Sequence, residues 1–269
     1  MQHTNIWLIF TTFATAFTTQ IKGMGIFSFK TKKAQGLSDF SALKTDIHSH
    51  LIPGIDDGSQ DMDTSLLLLQ ELQNLGYRKV ITTPHVKNEV FPNDVNKLED
   101  LANNVRKAAA QKGLAIEIEV GAEHLVDEDF HKRISEGLFK TFGDNYLLIE
   151  LPFMYVPFGV NEYLFDLQCK NYKVILAHPE RYLYWAEDKR QFADLKDRGI
   201  IFQSNINSFT GYYGRQEYNL VKWFAENNMI EMLGSDTHGI RHIEVLHKAL
   251  SSPLLAGLVN SGKIINNQF

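Results

Sequence analysis

The chain has 269 residues, 44% hydrophobic and 22% charged, with a formal net charge of −5. That is enough apolar material for one large domain or two small ones, and no basic run is long enough to suggest a nucleic-acid surface. The single cysteine, Cys169, excludes an internal disulfide framework and fits a reducing, cytoplasmic compartment, while Ile175 stands where a cysteine-phosphatase loop needs arginine.

Residues 6–17 are apolar but threaded with threonines. They are short for a membrane span and have no positive charge before them, so neither stable membrane insertion nor a signal peptide is expected. Peripheral or anchored association stays open. Met24 offers a second start, and residues 1–23 read as an upstream stretch. The expectation is a poorly ordered extension over residues 1–43 and one domain over 44–269.

From residue 44 onward, short apolar runs alternate with amphipathic ones. Strands are predicted at 45–49, 79–83, 115–121, 146–151, 173–177, 200–204 and 229–234. Helices are predicted at 61–75, 93–111, 126–136, 160–171, 187–198, 215–227, 242–250 and 253–259. Gly76 and Gly113 fall where helices should stop. Alternating strands and helices imply parallel pairing, and seven strands without a composition break imply one closed or nearly closed barrel.

Candidate metal ligands gather at the strand ends. His48 and His50 close the first strand on one face, roughly 7 Å apart along it. Asp56 and Asp57 follow a few residues on. His85 follows the second strand, Glu123 the third, His178 the fifth, and Asp236 with His238 the seventh. In a parallel barrel these ends share one face, which carries the active site. A histidine-and-carboxylate set suits zinc, manganese or iron better than magnesium or calcium. His124 should face away from Glu123, and His131, His242 and His247 read as helix surface. Asp61-Met62-Asp63-Thr64 resembles an aspartyl-phosphate motif, but it opens a helix and reads as N-terminal capping.

The segments Asp46-Ile47-His48-Ser49-His50, Pro53-Gly54-Ile55-Asp56-Asp57-Gly58, Thr83-Pro84-His85, Gly121-Ala122-Glu123, His178-Pro179-Glu180-Arg181 and Ser235-Asp236-Thr237-His238 resemble a PHP-domain phosphoesterase. More narrowly, they resemble the CpsB/CapC-type tyrosine phosphatases of capsule and exopolysaccharide loci. The resemblance implies an α/β fold, a distorted TIM-like (β/α)7 barrel, and a cluster of three divalent metals, usually manganese. His48, His50, Glu123 and Asp236 would hold the first metal. Glu123 would bridge to a second held by His85 and His178, with Asp57 and His238 on a third. Arg181 would contact phosphate, and Arg241 would be a second phosphate arginine. Hydrolysis would proceed by direct attack of an activated water, without a covalent phosphoenzyme.

The implied partner is a phosphotyrosine protein, such as a bacterial tyrosine kinase. Rim loops carrying Pro152–Phe158 and Tyr212-Tyr213 could pack an aryl ring. Three alternatives stay open at this level: a histidinol-phosphate-type phosphatase, a metal-dependent amidohydrolase, and a non-catalytic metal-binding scaffold. Oligomerisation is also open.

Overall fold

Runs such as Tyr146–Glu150 and Lys173–Ala177 are apolar on both faces, as strands covered on both sides must be. In a computed structural model, which describes residues 36–269, they become the wall of a parallel barrel. The strands are β1 (Thr45–Asp46), β2 (Lys79–Thr82), β3 (His85–Val86), β4 (Glu117–Val120), β5 (Glu123–Leu125), β6 (Tyr146–Glu150), β7 (Lys173–Ala177), β8 (Ile201–Asn205) and β9 (Met232–Gly234). They pair in the orders β1-β2-β4 and β3-β5-β6-β7-β8-β9.

The predicted second and third strands are each followed, after Thr83-Pro84 and Gly121-Ala122, by a further short strand that was not predicted. Proline cannot donate to a ladder, so the gap between β2 and β3 has a direct cause at Pro84. Nine segments therefore occupy seven wall positions. The barrel closes where β9 meets β1: Asp236 N donates to His48 O at 2.8 Å, His50 N donates to Thr237 O at 3.0 Å, and Ser49 bridges Thr237. At the opposite end Asn266 pins the same seam, donating to Thr45 O and Leu233 O and accepting from Leu233 N.

Two apolar layers follow from alternation along the strands. Ile81, Leu148, Ile175, Ala177 and Met232 fill the interior. Leu147, Ile149, Val174, Leu176 and Phe202 face outward against the helices. The register pairs Glu123 with Leu148 and His124 with Ile149, so Glu123 points in and His124 points out.

The helices match the expected positions, with ends trimmed by a few residues. Those used below are the first and seventh in chain order, α1 (Met62–Asn74) and α7 (Ile240–Ala249). Asp61 caps α1, its carboxylate accepting from Thr64 N at 2.7 Å. Gly76, with φ of +100°, takes the left-handed conformation that stops α1.

The boundary expected at residue 43 is set too late. Phe40 and Leu43 are buried in the outer core, Phe40 stacks on Tyr77 at 5.6 Å, and Leu37 N donates to Leu250 O at 2.7 Å. Residues 36–43 thus belong to the packed unit because they cover the apolar end of α1. The expectations for residues 1–23 and for the stretch up to 35 lie outside the described residues. Among the described residues, no helix is long and apolar enough to cross a membrane.

Candidate metal centre and phosphate cleft

The strand ends gather the predicted ligands on one face. His48 Nε2 and His50 Nε2 stand 3.3 Å apart. Asp236 Oδ1 lies 3.5 Å from each, and Glu123 Oε2 lies 3.5 Å from His48 Nε2 and 3.6 Å from His50 Nε2. Four donors at about 2.1 Å from one ion would be about 3.4 Å from each other in a tetrahedron. The side chains already stand at that spacing.

Hydrogen bonding alone does not account for it. Glu123 Oε2 is buried and makes no hydrogen bond among the described residues, although His85 Nδ1 also lies 2.8 Å from it. A buried carboxylate oxygen is rarely left so. The donor set therefore fits a divalent cation.

Supporting contacts fix which nitrogen of each histidine is presented. His48 Nδ1 meets Gln203 Oε1 at 2.7 Å, and His50 Nδ1 meets Asp56 Oδ2 at 2.8 Å. His238 Nδ1 meets the Asp236 carbonyl at 2.9 Å. Each Nδ1 can then carry the hydrogen and leave the Nε2 lone pair facing the cluster. Asn205 Nδ2 donates to Asp236 Oδ2 at 2.7 Å, and Gln203 Nε2 donates to Asn205 Oδ1 at 2.9 Å. One chain of amides from β8 therefore orients both His48 and Asp236.

The other ligands form two further groups. Asp57 Oδ1 lies 3.4 Å from both His85 Nε2 and His238 Nε2. His178 Nε2 lies 3.0 Å from Glu123 Oε1 and 3.7 Å from Glu150 Oε1. Glu123 thus turns one oxygen to His178 and the other to the His48–His50 pair. His85 stands between groups, with Nδ1 toward Glu123 and Nε2 toward Asp57. The third metal group expected from sequence, Asp57 with His238, therefore gains His85.

Glu150 was missed in the sequence. It ends β6, is buried, and also receives Lys87 Nζ at 2.9 Å. The signal was present, since it closes an apolar strand in step with the inward Leu148. Asp56 was missed as the partner of His50.

Electrostatics follow from the crowding. Burial opposes a charge on His48, yet the Glu123 and Asp236 carboxylates outweigh it and push its pKa up to about 9. The same contest, with Glu123 and Asp57, takes His85 to about 10. Burial, with His238 and His85 adding to it, pulls His50 down to about 3. Asp57 is held well below the usual carboxylate range by hydrogen bonds to His238 and His85. The carboxylates thus demand positive charge that divalent cations would supply in place of protons.

His178 and Asp236 both occupy the left-handed region, with φ of 32° and 50°. Such conformations in residues other than glycine cost energy and gather at functional sites. At Gly234 the approach is close instead: a Cβ there would stand 2.6 Å from His48 Cβ.

Beside the cluster opens a cleft of about 570 Å³, lined by residues including Arg181, Arg241, Tyr212, Tyr213 and His242. The Arg181 guanidinium is held between Phe153, 4.2 Å from its ring centre, and Tyr213, at 4.7 Å. Glu180 does not pair with it. That carboxylate is buried and turned away, accepting from Asn205 N and Ser208 Oγ. Arg241 lies over Tyr212 at 5.6 Å.

His242 departs from the surface reading, since it is half-buried in the cleft and accepts a hydrogen bond from His238 N. His124 is buried on the outer side, where its Nε2 accepts from Lys140 N.

Known proteins resemble this chain. The family described as "Capsular polysaccharide synthesis, CpsB/CapC" matches residues 44–245. A tyrosine-protein phosphatase, YwqE of Bacillus subtilis, is 28% identical over 197 residues, covering 73% of this chain and 78% of that protein. A putative tyrosine-protein phosphatase, CapC of Staphylococcus aureus, is 26% identical, covering 76% and 81%. Among solved structures, one described under YwqE from Bacillus subtilis and CpsB from Streptococcus pneumoniae, "unique metal-dependent tyrosine phosphatases", superposes with a TM-score of 0.71. It is 26% identical, with 82% of this chain and 96% of that one covered.

Proposed function

We propose that this chain, which belongs to the CpsB/CapC family, is a metal-dependent phosphomonoesterase that removes phosphate from tyrosine in proteins. The observation that carries the reading is the placement of Glu123, shared between the His48–His50–Asp236 group and His178, beside a clamped Arg181.

His48, His50, Glu123 and Asp236 would hold one cation. Glu123, Glu150 and His178 would hold a second, and Asp57, His85 and His238 a third. Manganese is the expected metal, with iron or zinc also suited to these donors. Divalent cations held there would polarise the phosphoryl group and make water acidic enough to ionise near neutral pH.

The residues divide the remaining work. Three dications among four carboxylates leave a formal charge of about +2, which a monoester dianion balances. Arg181, permanently charged, offers a planar fork to the non-bridging oxygens, and its two aromatic neighbours stop it from swinging away. Arg241 adds a second cation at the cleft mouth. Tyr212 and Tyr213 supply an aromatic wall for the phenolic ring. The nucleophile would be an activated water and not the one cysteine, Cys169, which is exposed at the end of a helix.

The natural substrate would be a phosphotyrosine protein of capsule or exopolysaccharide synthesis, such as a bacterial tyrosine kinase, met in the cytoplasm. The deciding experiment is hydrolysis of a panel of phosphomonoesters with added manganese and a chelator control. Preference for phosphotyrosine peptide, abolished by chelation, is the expected result. Equal turnover of histidinol phosphate, or turnover unaffected by chelation, would refute the proposal.

A further inference from the structure

His242 lies on the route that an aryl phosphate must take through the cleft. It is the third residue of α7, and His238 N donates to its Nδ1 at 3.0 Å. A ring nitrogen that accepts from a backbone N–H holds a lone pair, so the hydrogen of the neutral ring sits on Nε2. Nε2 has no hydrogen-bond partner among the described residues, and the ring lines the cleft. The Nε2 donor is therefore left free of protein partners on a ring that borders the cleft.

Its position is specific. The His242 ring centre is 5.5 Å from that of His238 and 5.4 Å from that of Tyr212, edge-on to both. His242 stands between the metal-ligand cluster and the aromatic wall. An aryl phosphate held with its phosphoryl group by the cluster and Arg181 and its ring by Tyr212 would span the same interval. The atom that joins those two parts is the ester oxygen.

We propose that His242 is a catalytic residue that donates a hydrogen bond from Nε2 to the ester oxygen of a bound aryl phosphate. The inference rests on the phosphatase reading given above. In the reaction the bond from phosphorus to the aryl oxygen breaks, and its electron pair stays on that oxygen. Water supplies the oxygen of the new bond to phosphorus, and the phenolate takes a proton from solvent. Negative charge grows on the ester oxygen as the bond breaks, and a donor already aimed there stabilises that growth without reorganising. The simpler role, in which the His242 ring only steadies the loop by accepting from His238 N, would affect all substrates alike.

Leaving-group dependence separates the two roles. Wild type, His242→Phe and His242→Gln are compared on aryl phosphates ranging from p-nitrophenyl phosphate to phenyl phosphate and phosphotyrosine. His242→Phe is expected to lower kcat/KM for phenyl phosphate by about 100-fold, and for p-nitrophenyl phosphate by about threefold or less. A nitrophenolate carries its own charge well and needs little help.

His242→Gln, which keeps an N–H donor, should recover part of the loss. Bound metal and melting temperature should not change. If His242→Phe does not fold, His242→Ala gives the same comparison. A loss equal across the series, or none, overturns the proposal while leaving the phosphatase reading intact. A wild-type protein inactive on every aryl phosphate overturns both.

Discussion

Replacing Arg181 with alanine should separate phosphate binding from metal binding. The guanidinium is nearest to a ligand at Asp236 Oδ2, 4.0 Å away, and that oxygen keeps its hydrogen bond from Asn205 Nδ2 at 2.7 Å when the arginine is gone. The other donors, His48, His50 and Glu123, keep their spacing. Metal content should therefore stay near that of the wild type.

Catalysis should not survive so well. The fork is held by two aromatic faces, each contact contributing about 0.5–1 kcal/mol at such partly exposed sites, so the side chain is positioned before substrate arrives. Removing one positioned donor from a transition-state site typically costs about 10²–10³ in kcat, or about 2.7–4 kcal/mol. Arg181→Lys keeps the charge but loses the fork, and should recover only a fraction. The assay is kcat/KM on a phosphotyrosine peptide with manganese, paired with elemental analysis of the purified variant. Full activity in Arg181→Ala, or loss of metal with it, would contradict the division of labour between this residue and the cluster.

Three further substitutions probe the framework. Gln203→Ala removes the partner of His48 Nδ1 and should weaken metal affinity by about 10–100-fold, measured by competition with a chelating dye, while the fold persists. Glu150→Gln removes one ligand charge next to Lys87 and should lower the number of metals bound per chain; unchanged stoichiometry would remove Glu150 from the ligand set. Phe40→Ala should destabilise the protein by about 3–5 kcal/mol in denaturant titration, because its fully buried ring packs on Tyr77. A loss near zero would return residues 36–43 to the status of an extension.

Most of the wall, and the convergence of most of the proposed ligands on one face, were legible in the sequence for one reason. Buried parallel strands are marked by apolar runs, and a polar residue at the end of such a run has nowhere to go but the active face. His48, His50, His85, Glu123, His178, Asp236 and His238 all obey this rule. Glu150 obeys it too and went unnoticed, because no histidine beside it marked it. The short strands after Pro84 and Ala122 were less legible, since two or three residues carry no periodicity of their own. The inclusion of residues 36–43 was not legible, since Phe40 and Leu43 are isolated apolar residues in a polar stretch, and only the exposed end of α1 gives them a partner.

His178 shows where the alternation rule needs a second cause. Ile175 and Ala177 point into the barrel while Val174 and Leu176 point out, so simple continuation would send the next side chain outward. Its backbone instead turns left-handed, with φ of 32° and ψ of 58°, and its Nε2 comes within 3.0 Å of Glu123 Oε1. Pro179 does not explain the turn, because a residue before proline favours the extended region; the left-handed His178 is held against that preference. The same turn starts the short helix Pro179–Arg181, which carries Arg181 over the cleft and sends Glu180 inward to Asn205 and Ser208. One strained residue thus aims the proposed metal ligand His178, and the three that follow set Arg181, the proposed phosphate arginine. The strain is tolerable because Glu180 anchors the segment to β8, the strand whose amides also orient His48 and Asp236. The cation cluster and the phosphate cleft are therefore mechanically one unit, and β8, which supplies none of the proposed metal ligands, is the element that ties them together.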